Sequence, residues 1–456
     1  MKQRTAFTVV YIIIVTALCL MRSPADANAS HLSGTWRSRG YGYILKIDAL
    51  QTDHSGNPFY PAMIFDETVV SLLPSDSIRI SAKDHFLLSE KKDLSGTVWR
   101  RGNRLKYRSF SDGTVIIFDR LCTKKKPAGY DIAKETDNPI VNFNVLWWTF
   151  EENCSIFSLT DVDWQMMYDY YRPLITEHTM PQELFDIFTQ MLTPLNDGHT
   201  NLAARIDGEI FYFNAGPAPR SIWMMERIDE MFAVISSYLD GNSLHEAVED
   251  RIYYGTIDQS IGYLNILGYV GYSESDIDAV FSKLQKTEAL IIDIRMNMGG
   301  SAGLACALAS RLASHKFRGY SKQARVGDYE EFSRPVPIYI APAGAQFLDR
   351  PVVILTSGNT ISAADVQAMI LKNPALPNVT LIGESTSGNF SNGLPKSLPN
   401  GWEFTLSNER CLADNMNYEQ IGITPDIEVI GSEAALDKGD DNILERALKM
   451  LRRYLK

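Results

Sequence analysis

Short apolar runs alternate with turn residues in the first part of the chain, and this pattern predicts β-strands. The runs are separated by Ser-Asp, Asp-Gly and Gly-Asn pairs, which favour turns. The clearest of them lie at 41–47, 69–73, 77–80 and 114–118. We therefore expect a small β-rich N-terminal domain at 30–128, which ends in a linker at 124–129, where three lysines, a proline and a glycine occur.

The apolar spacing becomes helical between residues 142 and 195. Apolar residues recur three and four positions apart, as in Val145-Leu146-Trp147 followed by Phe150. Two or three packed helices are expected in a helical segment at 136–205. The pattern ends at Leu195-Asn196-Asp197-Gly198-His199-Thr200, where the Asn-Asp-Gly run breaks the helix and leaves a histidine on a turn.

The second half of the chain predicts an α/β fold, which we assign to residues 206–456. Two successive strand-helix-strand units have the spacing of right-handed crossovers between parallel strands. The first unit is expected at 262–267, 273–285 and 289–295, and the second at 351–356, 363–372 and 379–383.

The first residues have the pattern of an export signal. Two basic residues precede an apolar run at 6–20, and small residues that include Ala27 and Ala29 follow it. A signal peptide at 1–27 is therefore expected, and an N-terminal membrane anchor is the alternative, although the run is short for a span of ~20 residues. The mature protein would then be exported, periplasmic or secreted, with no stable membrane insertion after signal removal.

Composition excludes some partners and leaves others open. The chain carries a net charge of −11, and removal of the signal peptide makes the remainder more acidic. Such a chain lacks the positive surface that nucleic acid requires. Beyond the signal, Cys122, Cys154, Cys306 and Cys411 allow three disulfide pairings, although Cys306 is expected to be a buried free thiol. The oligomeric state stays open.

Ser362 is the first candidate for chemistry. It follows the predicted strand at 351–356 and precedes a helix, where free N–H groups and the helix dipole stabilise negative charge. The amide of Ala363 would be an oxyanion donor there. A serine at this place is also a common helix cap, so both interpretations stay open at this point. Ser362 lacks the flanking glycines of a Gly-x-Ser-x-Gly nucleophile elbow, which disfavours an α/β-hydrolase.

A serine nucleophile needs a base, and the base needs a group that orients it. Of the seven histidines, only His199 lies in a glycine-containing turn after an apolar helix, although such a turn can equally hold an exposed histidine. Gly299 and Gly300 offer free backbone N–H groups or simply a tight turn. Glu419 can orient an imidazole or be an ordinary exposed glutamate. Asp197 is expected to bond its own backbone.

Five segments, taken in order, resemble the marker segments of the C-terminal processing protease family and its tricorn-core relatives. The resemblance covers about residues 142–429. The segments are Asp197-Gly-His-Thr200, Asp293-Ile-Arg-Met-Asn-Met-Gly-Gly300, Thr360-Ile-Ser-Ala-Ala-Asp365, Ile382-Gly-Glu-Ser-Thr-Ser-Gly388 and Tyr418-Glu-x-x-Gly-Ile-x-Pro-Asp426.

The resemblance implies a crotonase-like crossed α/β protease core, with the helical segment and a small separate β-rich domain before it. One branch of the family uses a lysine after Gly388 as base, and the other uses a histidine and a glutamate. This sequence has Asn389 at the lysine position, and Lys396 lies several residues too far along. The chain thus resembles the histidine branch, with Ser362, His199 and Glu419 at the catalytic positions and no cofactor.

Two departures from the family pattern affect substrate choice. The segment between residues 203 and 261 is too short for the usual PDZ domain, and residues 30–128 have no counterpart in the common pattern.

We expect a serine peptidase that acts on peptides or proteins through an acyl-enzyme, as an endopeptidase or by trimming C-termini. The alternatives are a non-catalytic ligand- or peptide-binding protein on the same fold, or a hydrolase of small esters.

Overall fold

The computed structural model describes residues 32–89, 95–121, 135–217 and 221–456. The expected signal peptide, Cys122 and the predicted linker lie outside these ranges. None of the helices in the described part of the chain combines the length and apolar character needed to cross a bilayer.

Nine antiparallel strands form the first described region and confirm its predicted β-rich character. They are β1 (Gly34–Ser38), β2 (Tyr43–Ile47), β3 (Gln51–Thr52), β4 (Pro58–Thr68), β5 (Ser71–Ser81), β6 (Phe86–Ser89), β7 (Gly96–Arg101), β8 (Arg104–Ser109) and β9 (Val115–Arg120). The strand predicted at 69–73 is wrong in its first two residues, because Val69 and Val70 form the exposed turn between β4 and β5.

The nine-stranded sheet is barrel-like. Its order is β2-β1-β9-β8-β7-β6-β5-β4-β3, and an additional pairing between β2 and β4 closes eight of the strands into a ring, with the two-residue β3 outside it. Eight strands leave an interior that side chains just fill. Tyr43, Ile64 and Phe118 line an internal cavity of only about 10 Å³. The barrel interior is thus a packed core with room for about one water molecule.

Three helices follow the barrel, which confirms the predicted helical packing. They are α1 (Pro139–Asn153), α2 (Trp164–Tyr171) and α3 (Pro181–Leu192). The Asn138 side chain caps α1 by accepting hydrogen bonds from the N–H groups of Ile140 and Val141. Trp36 of the barrel belongs to the same buried cluster as Phe143 and Phe188 of the helices. The β-rich region therefore shares its hydrophobic core with the helical segment.

The remaining elements alternate between strands and helices. They are β10 (Asn201–Ile206), β11 (Glu209–Asn214), α4 (Ile228–Tyr238), β12 (His245–Val248), β13 (Ile252–Ile257), β14 (Ile261–Ile266), α5 (Glu274–Leu284), β15 (Ala289–Asp293), α6 (Ala302–Ser310), β16 (Phe317–Ala324), β17 (Val336–Ile340), β18 (Val352–Thr356), α7 (Ala363–Leu371), β19 (Val379–Gly383), β20 (Gly393–Ser397), β21 (Glu403–Ser407), β22 (Glu409–Ala413), β23 (Met416–Asn417), β24 (Ile427–Glu428), α8 (Glu433–Leu436) and α9 (Asn442–Tyr454).

A seven-stranded sheet with the order β12-β13-β14-β15-β18-β19-β24 forms the centre of this region. The pairs β14–β15 and β18–β19 are parallel, which confirms both predicted crossovers. Side chains alternate between the two faces of β15: Leu290 and Ile292 pack in the cluster that contains residues of α5, α6 and α7, whereas Ala289 and Ile291 face the cluster formed with α4 and α9. Helices thus cover both faces of the sheet, as a buried parallel sheet requires.

Two four-stranded antiparallel sheets complete the fold, with the orders β11-β10-β21-β20 and β17-β16-β22-β23. Strand β10 begins two residues after His199, so the first of these sheets anchors the histidine turn. Cys154, Cys306 and Cys411 are free thiols, so the described residues contain no disulfide.

The segment Asp293-Ile-Arg295 lies at the end of β15 in the central sheet. The buried Arg295 guanidinium pairs with Asp293 at 2.5 Å and with Asp441, the residue that caps α9, at 2.8 Å. It also stacks on the Trp223 ring, with 3.6 Å between the guanidinium carbon and the ring centroid. This motif therefore ties the C-terminal helix to the strand from which the glycine loop begins.

Candidate active site

Ser362 occupies the turn between β18 and α7 in a backbone conformation that side chains rarely adopt. Its φ is +62° and its ψ is −118°. Such a conformation costs roughly 1–3 kcal/mol and persists only where the surrounding structure enforces it. The sharp strand-to-helix turn that Gly-x-Ser-x-Gly would provide is thus present here without its flanking glycines.

Asp365 enforces this turn. Its carboxylate accepts hydrogen bonds from the N–H groups of Ser362 (2.8 Å), Gly388 (2.9 Å) and Asn389 (3.1 Å). Burial raises the pKa of Asp365 to about 6, against the lowering effect of these hydrogen bonds. One buried carboxylate therefore holds the serine turn against the loop that follows β19. Sequence reasoning placed Asp365 in a marker segment without assigning it this role.

Asn389 holds the histidine turn. Asn389 Oδ1 accepts a hydrogen bond from the N–H of Gly198 at 2.9 Å. A Cβ added to Gly198 would lie 2.7 Å from that same oxygen, so any larger residue would displace the Asn389 side chain. From the other side, Thr405 of β21 donates to the carbonyl oxygen of His199 at 2.6 Å. Asn389 thus has a positioning role that the sequence alone did not reveal.

The fold brings His199 and Ser362 into contact across 163 positions of sequence. The distance between His199 Nε2 and Ser362 Oγ is 3.1 Å, which is within hydrogen-bonding range. Burial lowers the pKa of His199 below its ordinary 6.5, the positive charge of Lys322 lowers it further, and the negative charge of Asp197 opposes both effects. The imidazole is therefore neutral at neutral pH and able to accept a proton.

Glu419 lies beside this pair in a buried position. Its carboxylate accepts hydrogen bonds from the N–H groups of Phe390 (3.1 Å) and Ser391 (2.9 Å). Burial raises the pKa of Glu419 well above 4.5, and the charge of Asp197 raises it further. No direct hydrogen bond joins Glu419 to His199, and among the described residues His199 Nδ1 is buried without a partner.

Asp197 mainly serves its own turn, as its sequence context predicts. Its two carboxylate oxygens accept hydrogen bonds from Thr200 Oγ1 at 2.7 Å, Ser407 Oγ at 3.0 Å and the His199 N–H at 3.2 Å. Ligand atoms of Asp197, His199 and Glu419 lie within 4.8 Å of one another. Within the described part of the chain, these three residues form a group that is close enough to hold a metal ion. Their hydrogen bonds to backbone and hydroxyl groups already account for the positions of both carboxylates.

The glycine loop lies directly against the serine. A Cβ added to Gly299 would come within 2.6 Å of Ser362 Cβ and 3.1 Å of the Ala363 nitrogen. The φ of Gly299 is +88°, which also requires glycine. Its N–H donates to Asn297 Oδ1 at 2.9 Å, whereas the N–H groups of Gly300 and Ala363 have no acceptor among the described residues. Gly299 and Ala363 are thus adjacent to Ser362, whereas Gly300 lies one residue further along the loop against the backbone of Tyr269, and the Gly299 N–H is engaged within its loop.

Lys396, the remote alternative to a histidine base, faces away from this site. Its ammonium group donates to the carbonyl oxygens of Tyr41 and Gly42 at 2.8 Å and pairs with Asp66 at 3.1 Å. All three partners belong to the barrel. Lys396 therefore connects β20 to the barrel, in agreement with the small weight that the sequence gave it.

Comparison with known families and structures agrees with this arrangement. Residues 260–429 match the model of peptidase family S41, and residues 138–193 match that of the tricorn protease C1 domain. The first match contains Ser362 and Glu419, and the second ends just before the histidine turn.

Solved structures extend the comparison beyond these segments. A candidate peptidase from Parabacteroides merdae is 30% identical, with a TM-score of 0.59 over 69% of this chain and 97% of that one. Mature CPAF complexed with lactacystin is 12% identical, with a TM-score of 0.50 over 70% of this chain and 98% of that one, which shows a shared fold. A photosystem II D1 C-terminal processing protease also matches, at 13% identity and a TM-score of 0.41 over 65% of this chain and 94% of that one. The chain accordingly belongs to peptidase family S41 and is a serine-type peptidase.

Proposed function

We propose that this peptidase cleaves peptide bonds through an acyl-enzyme formed on Ser362. Neutral His199 accepts the proton of Ser362 Oγ as that oxygen attacks the peptide carbonyl carbon, and returns it to the leaving amine. A water molecule then attacks the ester, and the same imidazole removes and returns a proton in this second step. Glu419 stabilises the imidazolium from the side of His199 Nδ1, which has no partner among the described residues. To form this hydrogen bond, the Glu419 carboxylate moves a short distance toward the ring.

The oxyanion is held by the N–H groups of Ala363 and Gly300. Both N–H groups lack an acceptor among the described residues, and Ala363 opens α7, where the helix dipole favours negative charge. Asn297 accepts a hydrogen bond from the N–H of Gly299, the residue that lies against Ser362 and directly precedes Gly300. The single observation that carries the proposed mechanism is the 3.1 Å contact between His199 Nε2 and Ser362 Oγ at a strained serine turn.

A fluorophosphonate probe tests this mechanism. We expect covalent modification of Ser362, located by mass spectrometry of the digested protein. The rate should be constant at and above neutral pH and fall as His199 becomes protonated, with a half-maximal rate below pH 6.5, because burial lowers the pKa of this histidine. A lysine base would instead give a rate that still rises well above neutral pH.

Two outcomes would contradict the mechanism. One is modification of a serine other than Ser362. The other is a His199→Ala variant that reacts with the probe at the wild-type rate across the pH range. The exposed histidine variant His178→Ala is the matched control and should react as the wild type does.

We also propose that the protein is exported, and that its substrates are peptides or proteins of the periplasm or the exterior. The support is the sequence of the first 29 residues, with its basic start, apolar run and small residues. Expressed with this segment in a bacterial host, the protein should be recovered outside the cytoplasm with Asn28 or Ser30 as its first residue, as read by N-terminal sequencing. Full-length protein retained in the cytoplasm would argue against export.

A further inference from the structure

The loop between β8 and β9, residues 110–114, leaves the barrel and contacts the peptidase core beside the active site. The carbonyl oxygen of Ser111 accepts hydrogen bonds from Ser301 Oγ at 2.6 Å and from the Gly303 N–H at 2.7 Å. Ser301 directly follows Gly300 and caps α6. One backbone carbonyl of the barrel thus holds the end of the glycine loop.

The next residue of the loop enters a buried ionic cluster. Asp112 Oδ2 pairs with Lys322 Nζ at 2.7 Å, and Lys322 also pairs with Glu409 at 3.3 Å. Lys322 is 4% exposed and Asp112 is 10% exposed. Tyr41 of the barrel donates to Glu409 Oε1 at 2.6 Å. A buried ion pair between two regions depends on both partners, because either charge left alone in the interior is strongly unfavourable.

The same loop also reaches the segment that binds Glu419. The Asn392 amide nitrogen donates to Asp112 Oδ2 and lies 3.3 Å from Thr114 Oγ1. Asn392 follows Ser391, whose N–H donates to Glu419 and whose hydroxyl accepts a hydrogen bond from the Glu409 N–H at 3.1 Å. The loop therefore touches both segments on which the proposed mechanism depends, the glycine loop and the segment that holds Glu419.

We propose that the β8–β9 loop is a positioning element of the active site, in which Ser111 fixes the glycine loop and Asp112 fixes the Glu419-binding segment. This inference rests on the proposed acyl-enzyme mechanism. The interior of the barrel is packed with side chains. In this proposal the barrel contributes to the reaction by holding the β8–β9 loop against the active site. The loop touches no reacting atom and acts only through the geometry of its neighbours.

Asp112→Asn in the full chain tests the proposal. The substitution removes one of the two carboxylate charges that pair with Lys322, and it places an amide where four donors point: Lys322, Asn392, and the N–H and hydroxyl of Thr114. Displacement of a reacting group by about 1 Å can cost roughly 10²-fold in rate, so we expect the maximal labelling rate with the fluorophosphonate probe to fall about 10-fold to 100-fold. The probe concentration at half-maximal rate should stay unchanged, because the loop does not line the reacting atoms.

Asp66→Asn is the matched control. Asp66 forms the other buried ion pair described here between barrel and core, with Lys396 of β20, and its carboxylate contacts neither the glycine loop nor Asn392. Both variants should lower the melting temperature, but only Asp112→Asn should lower the labelling rate at a temperature where both are folded. Equal labelling rates in the two variants would overturn the proposal, because the barrel would then contribute stability alone.

Thr114→Val keeps the proposal testable if Asp112→Asn does not fold. This nearly isosteric change removes the hydroxyl that accepts a hydrogen bond from Lys322 at 2.9 Å. The labelling rate should fall about 3-fold to 10-fold, the net worth of one hydrogen bond, and a wild-type rate would contradict the inference. Wild-type protein that the probe does not modify at Ser362 would instead refute the proposed mechanism itself.

Discussion

Replacement of Ser362 by alanine should abolish peptidase activity while leaving the fold intact. In serine peptidases the nucleophile and its base act as a unit, and loss of the nucleophile costs about 10⁶-fold in kcat. The backbone of Ser362 is held by Asp365 through its N–H group, and alanine keeps that N–H. We therefore expect no fluorophosphonate modification and casein hydrolysis at background level, with an unchanged circular dichroism spectrum.

Ser282→Ala provides the matched control for this substitution. The Ser282 hydroxyl donates to the carbonyl oxygen of Asp278 on the exposed side of α5, and no site residue contacts it. This variant should hydrolyse casein at the wild-type rate. Undiminished hydrolysis by Ser362→Ala would show that another residue is the nucleophile.

Replacement of Glu419 by glutamine should lower kcat by roughly 10²-fold to 10⁴-fold with little change in KM. Glutamine preserves the shape and an oxygen that can accept hydrogen bonds from the N–H groups of Phe390 and Ser391. It removes the ability of residue 419 to ionise, and only an ionised carboxylate balances the positive charge of the His199 imidazolium. We therefore expect an intact fold and a slower chemical step. Measurement of kcat and KM on a fluorogenic peptide checks this expectation.

The variant Asp197→Asn distinguishes the role of Asp197 from that of Glu419, the other carboxylate near His199. Both oxygens of Asp197 accept hydrogen bonds from donors of its own turn and of β21. In asparagine one of these oxygens is replaced by an NH₂ group, which cannot accept a hydrogen bond from the donor that points at it. We expect a lower melting temperature and a modest loss of kcat at matched folded fractions. A larger loss of kcat in Asp197→Asn than in Glu419→Gln would identify Asp197 as the orienting acid.

The sequence determined much of the fold, because local pattern and packing agree in the central sheet. Strands β14, β15, β18 and β19 are rich in apolar residues with little alternation, and parallel pairing with helices on both faces buries such strands. The serine turn and the histidine turn were also predictable, since a buried strand or an apolar helix ends abruptly at each. The purpose of each turn was ambiguous, because a serine before a helix is also a common cap.

Only the tertiary structure decided which polar residues act together. Ser362 and His199 meet across a distance that no local pattern encodes, and Asn389, Asp365 and Lys322 gain their roles from partners remote in sequence. The barrel illustrates the same limit. Its β-rich character was predictable from short apolar runs between turn residues, but its closure, its shared core with α1 and α3 and its contact through Asp112 depend on long-range pairing. Buried hydrogen bonds and ion pairs are specified by three-dimensional complementarity, which spacing along the chain does not contain.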